Sequence, residues 1–160
     1  MSIAEGAGTA DLPARQAISF PVLSPTVAQV LLVAVACAAL AGGLILNGGS
    51  QHAVAQAGPD LTRLLRAMAA IKVMMAVAAT AVVLWRLQSP ISIGRFALYA
   101  LATAGMAAGP GLIWTMAHVA SGAFALHAGL IASMLLLWRD PEVARRLELL
   151  VARKRAALRS

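Results

Sequence analysis

From Phe96 to Trp138 the chain carries no Asp, Glu, Lys or Arg, a run of 43 uncharged positions. No other feature limits the fold so tightly. About 20 helical residues cross the hydrocarbon core of a bilayer, so the run is long enough for two crossings and must conceal a turn. Gly109-Pro110-Gly111 is the best place for it, because Pro cannot continue a helix from the preceding turn but fits the first position of the next. This predicts a third span over 91–108 and a longer fourth over 110–138. A later turn near "TMAH" is the alternative and would shorten the fourth helix.

Two more apolar stretches precede this run. The first, over about 26–46, stops at "NGGS", where Gly and Asn supply the backbone geometry that ends a helix. The second, over about 61–86, follows Asp60 as its N-cap, and Ser89 with Pro90 then restarts the chain at the first turn of the third span. Residues 1–20 read as a flexible tail, with an interfacial turn at "ISFPVL". After Trp138, Asp140 as N-cap, Pro141 at the first helical position and Glu142 in the first turn predict a basic amphipathic surface helix over 140–160. Val143, Leu147, Leu150, Val151 and Leu158 would form its apolar stripe, while Arg145, Arg146, Arg153, Lys154, Arg155 and Arg159 would reach anionic lipid headgroups. The expected fold is all-α, an integral membrane four-helix bundle over 21–139 with this helix appended.

Composition agrees with a membrane protein: 61% of residues are hydrophobic and 12% charged, with a mean hydropathy of +0.82. All six acidic residues lie outside the apolar runs. That argues against a carboxylate proton relay or a transporter built on acidic ligands. Seven of the thirteen basic residues fall at or after Arg139, so the high charge belongs to the tail and points to lipid headgroups rather than nucleic acid. Lys and Arg near the span ends are concentrated on the side of the 86–95 connection and the tail, against Arg63 and Arg66 on the other. By the positive-inside rule both termini are cytoplasmic. The size and layout are similar to those of many small bacterial membrane proteins, which suggests a bacterial inner membrane.

The clearest internal pattern is Ala117, Ser121, Ala125, Gly129 and Ser133, one small residue every four positions in the fourth span. Small residues let helix backbones approach closely where lipid provides little hydrophobic force. Gly105 and Gly109 repeat that spacing in the third span. His118 lies on this ridge and should sit inside the bundle near Lys72 or Thr103. His127 points the other way, among large apolar neighbours, so a second helix, a partner subunit or a cofactor should satisfy it. Counted from the outer ends, Lys72, Thr103, Thr115 and Cys37 fall at a depth similar to that of His118 and could form a polar cluster. The competing explanation is that Lys72 snorkels to the headgroups.

No Gly-rich phosphate loop, CxxC pair, HExxH run or nucleophile elbow is present. Nothing in the sequence requires a cofactor or a metal. The pattern therefore favours a non-enzymatic accessory, assembly or stabilising subunit that contacts lipid and other membrane subunits, or copies of itself. A redox protein holding one b-type haem or a quinone near His118 or His127 is the second reading. A small transporter is the third.

Overall fold

The computed structural model describes residues 21–45, 50–116 and 118–158. In chain order these form β1 (Val22–Leu23), α1 (Pro25–Ile45), α2 (Ser50–Arg86), β2 (Ile91–Ser92), α3 (Ile93–Trp114), α4 (Val119–Trp138) and α5 (Pro141–Ala157). Four helices, Pro25–Ile45, Val54–Arg86, Ile93–Trp114 and Val119–Trp138, are long and apolar enough to cross a membrane. They pack together as an all-α membrane bundle, and α5 follows them.

α3 is the centre of the bundle. Tyr99, Ala102, Thr103, Met106, Gly109, Pro110, Gly111 and Ile113 are all buried along it, whereas α1 buries only Ala28, Leu32 and Gly43. The reason is backbone proximity. A methyl group built on Gly109 would lie 2.6 Å from the Gly122 carbonyl oxygen, and one on Gly122 would lie 2.6 Å from that of Gly109. Gly43 and Gly111 form a similar contact between α1 and α3, where a methyl on Gly43 would meet the Ala108 oxygen at 2.8 Å. Gly129 seats α4 against Ala102 and Met106. Without a strong hydrophobic drive between helices in lipid, such close approach supplies the packing energy.

These contacts correct the expected third turn. Gly109-Pro110-Gly111 lies inside α3, which continues to Trp114, and the chain reverses between the C-cap Thr115 and the N-cap His118, the alternative turn near "TMAH". Pro110 costs the helix one backbone hydrogen bond. A turn at that depth would leave several backbone groups unpaired in hydrocarbon, which costs more. The 22 residues of α3 also give about 33 Å of helix, enough to cross, whereas 18 would give about 27 Å. Met116 takes the reversal in a left-handed conformation, with φ 61°.

Two other boundaries also differ from expectation. Pro90 lies before β2, not in the first turn of α3. In α2, Gly58 breaks the helix with φ 76° and ψ 168°, and Pro59 follows the kink as the helix resumes. Gly58 therefore holds the place expected for Asp60, and its carbonyl accepts a 2.7 Å hydrogen bond from Thr62 Oγ1. β1 and β2 were absent from the sequence reading. They pair antiparallel, Val22 with Ser92 and Leu23 with Ile91, and tie the segment before α1 to the α2–α3 connection. The flexible tail expected over 1–20 lies outside the described residues, as do Ala117 and Arg159.

Candidate functional site

At the end of the bundle where α5 departs, a set of charged side chains is built into the fold. Leu32, Val83, Leu87, Ile91 and Tyr99 form an apolar cluster beneath it. Arg86 at the end of α2 donates through Nε to Asp140 Oδ2 at 2.6 Å, and both side chains are 3% exposed. The Tyr99 hydroxyl donates to the same oxygen at 3.3 Å. The other carboxylate oxygen of Asp140 accepts the Glu142 amide at 3.1 Å and so caps α5. One carboxylate thus joins α2, α3 and α5.

A second, more exposed layer lies above. Glu142 accepts from Ser89 Oγ at 2.9 Å and from Arg145 and Arg146. Arg146 also reaches the Trp85 carbonyl at 3.1 Å, hydrogen-bonds the Ser89 hydroxyl, and sits 5.6 Å from the Trp85 ring centre. Hydrogen bonds from Arg145 first and from Ser89 next hold the Glu142 carboxyl down to about 2. Arg145 and Arg146 were expected to face headgroups. Arg146 instead fastens α5 to the end of α2, while Arg145 pairs with Glu142 at 3.0 Å and keeps most of its side chain exposed, within reach of headgroups. Leu147, Leu150, Val151 and Leu158 on α5 are exposed, as are Arg153, Lys154 and Arg155.

The histidines are placed differently from the sequence expectation. His118 is exposed at the N-cap of α4, with no side-chain capping bond, and so lies outside the bundle core. It begins the helix, so its ridge position never acquires a facing helix. His127 is exposed too, but its Nδ1 lies 2.7 Å from the Ala123 carbonyl oxygen of its own helix. Because a carbonyl only accepts, Nδ1 is the donor here, and in the neutral ring Nε2 is left as an acceptor. The hydrogen bond expected from a second helix or partner is thus supplied on one side by α4 itself.

The expected polar cluster does not form. Thr115 donates to the Leu112 carbonyl at 3.0 Å, Cys37 is exposed on α1, and Thr103 Oγ1 is buried without a partner. Lys72 is half-buried and forms no ion pair or hydrogen bond among the described residues. It lies about 9 Å along α2 from Arg66, whose guanidinium covers the Trp114 ring at 5.5 Å at the end of α3. That distance suits a snorkelling stem. On α4 the buried face contains Gly122, Leu126, Gly129 and Ser133, while Ser121 is exposed and Ala125 half-buried. Gly129 and Ser133 thus lie on the buried face as expected, while toward the start of α4 the face shifts by one residue to Gly122 and Leu126, because Gly109 meets Gly122. A methyl on Gly105 would meet the Ala125 oxygen at 3.2 Å.

Compared with protein-family models, curated proteins and solved structures, the chain matches none of them. Among the described residues no group of three or more His, Cys, Asp or Glu could hold a metal ion. The Arg86–Asp140–Tyr99 network escaped the sequence reading. Its signal was an Arg closing one span and an Asp opening the tail, on the same side of the membrane.

Proposed function

We propose that the chain is a non-enzymatic subunit that stabilises or helps assemble a larger complex in a bacterial inner membrane, with both termini cytoplasmic. The observation that carries this reading is the outer face of α4. Phe124, His127, Ile131, Met134 and Trp138 are all exposed on it. Their steps of three and four residues are those of a seam that receives another helix. His127 lies about 12 Å along α4 from its first residue, near the middle of the crossing. Its Nε2 can accept a hydrogen bond there, and lipid tails offer none.

The fixed proton also narrows the partner. Two copies meeting through this face would oppose two Nε2 acceptors, whereas a different subunit presenting a hydroxyl, amide or indole N–H at that depth would complete the pair. The second reading, an axial ligand to a b-type haem, rests on the same nitrogen, since a His with Nδ1 tied to a carbonyl coordinates through Nε2. Purification in mild detergent, with a visible spectrum and a mass measurement of co-purifying subunits, tests both. His127→Leu should release a co-purifying subunit while the isolated bundle melts as before. A haem band lost on the same substitution would transfer the role to the second reading. A variant that keeps every subunit and shows no chromophore would overturn both.

A further inference from the structure

Beside the Arg86–Asp140 pair lies a cleft of about 370 Å³, lined by Arg86, Ser89, Pro90, Arg95, Pro141, Glu142 and Arg145. A water occupies about 30 Å³ of liquid, so the cleft has room for a sizeable polar group. Its walls carry three guanidinium groups and one carboxylate. Adding the neighbours Asp140 and Arg146 leaves the excess at two positive charges. The two carboxylates are already occupied by hydrogen bonds within the network.

Spare donors are left over. Arg86 Nη1 is buried with no hydrogen-bond partner. Arg95 is exposed in the first turn of α3 and makes no ion pair or hydrogen bond among the described residues. That turn contains no acidic residue to offset the positive end of the helix. Trp85 and Trp138 stand at the same end of the bundle, and Trp138 is 81% exposed. Tryptophan at a span end marks headgroup depth.

We infer that this cleft binds a phosphate group, carried by an anionic phospholipid. Arg95 and Arg145 contact it from the rim, and Arg86 Nη1 supplies charge from the buried wall. The guanidinium fork matches phosphate oxygens in pairs, and three such groups around one cleft exceed what a solvated surface charge provides. This site is separate from the α4 face, so either can fail without the other.

The test uses the full chain in neutral detergent, with short-chain phosphatidylglycerol, phosphatidylcholine and inorganic phosphate as probes, read by native mass spectrometry and thermal shift. The wild-type protein should retain phosphatidylglycerol in preference to phosphatidylcholine. Arg95→Gln and Arg145→Gln should each weaken retention about tenfold, the loss of one charge-assisted hydrogen bond. Arg153→Gln should change it roughly twofold at most, as a solvated charge does. Arg95 has no side-chain partner to lose, so its variant folds, and the unliganded melting temperature reports that. Displacement of the lipid by inorganic phosphate at similar concentration would keep the site but overturn the lipid as its source. Failure of phosphatidylglycerol and inorganic phosphate alike to bind, or an equal loss in Arg153→Gln, would overturn the site.

Discussion

Gly122 shows how much a single hydrogen atom in place of a methyl can decide. With the Gly109 carbonyl 2.6 Å from where its Cβ would stand, Gly122→Ala must push α3 and α4 apart. The expected loss is about 1–3 kcal/mol, in the range of core overpacking. Gly94→Ala is the control, because nothing lies within 4 Å of its Cβ position, and Ala in a helix is favoured over Gly by up to about 1 kcal/mol. Melting in detergent should therefore move in opposite directions for the two. Asp140→Ala removes the carboxylate that neutralises buried Arg86 and should cost about 3–5 kcal/mol. Glu142 acts through pH. Its carboxyl is held at about 2 against an ordinary 4.5, so its contribution is present above pH 4.5 and is lost as pH falls toward 2. An acid titration of thermal stability should show that loss, and Glu142→Gln should flatten it. Of these residues, Asp140 was legible as a cap from "RDPE". Its pairing with Arg86 was not, because the partners stand 54 positions apart and only the packed bundle brings them together.

At the level of elements, the four spans were legible because each is a long apolar run. Their ends were harder to read, since Gly and Pro serve two purposes in a membrane helix. Gly109-Pro110-Gly111 has the signature of a turn, yet its glycines bring α3 against α4 and α1. Gly58 does break its helix, and Ala there would be forced to φ 76° at a cost of about 1–3 kcal/mol of strain. No methyl contact contributes to that cost, because nothing lies within 4 Å. Arg146 gives α5 a second attachment to α2, beside the Arg86–Asp140 pair. Arg146→Gln should lower the docking stability of α5 by about 1.5–3 kcal/mol, the usual range for hydrogen bonds to a charged group. Faster amide exchange over 141–157 than in the wild type would register it, with α3 and α4 unchanged.

Across the whole molecule, the two sides differ in charge: Arg86, Arg95, Arg139 and the α5 cations stand at one end, and Arg63 and Arg66 at the other. Reporter fusions after Gly49 and after Ser160 should therefore report opposite sides, with the second in the cytoplasm. The paired strands have a further consequence, for the order in which the protein is made. Val22 and its partner Ser92 are 70 residues apart. At translation rates of about 5–20 residues per second, β1 waits roughly 4–14 s for β2 to be synthesised. During that interval α1 enters the bilayer with its leading end untethered, and α2 must return across the membrane before the clasp can close. A nascent chain arrested before Ile91 therefore has α1 and α2 but neither the clasp nor the α3 surface on which both helices rest. The surface that aligns the first two spans is supplied by the third, so their mutual arrangement is completed only after α3 has been made.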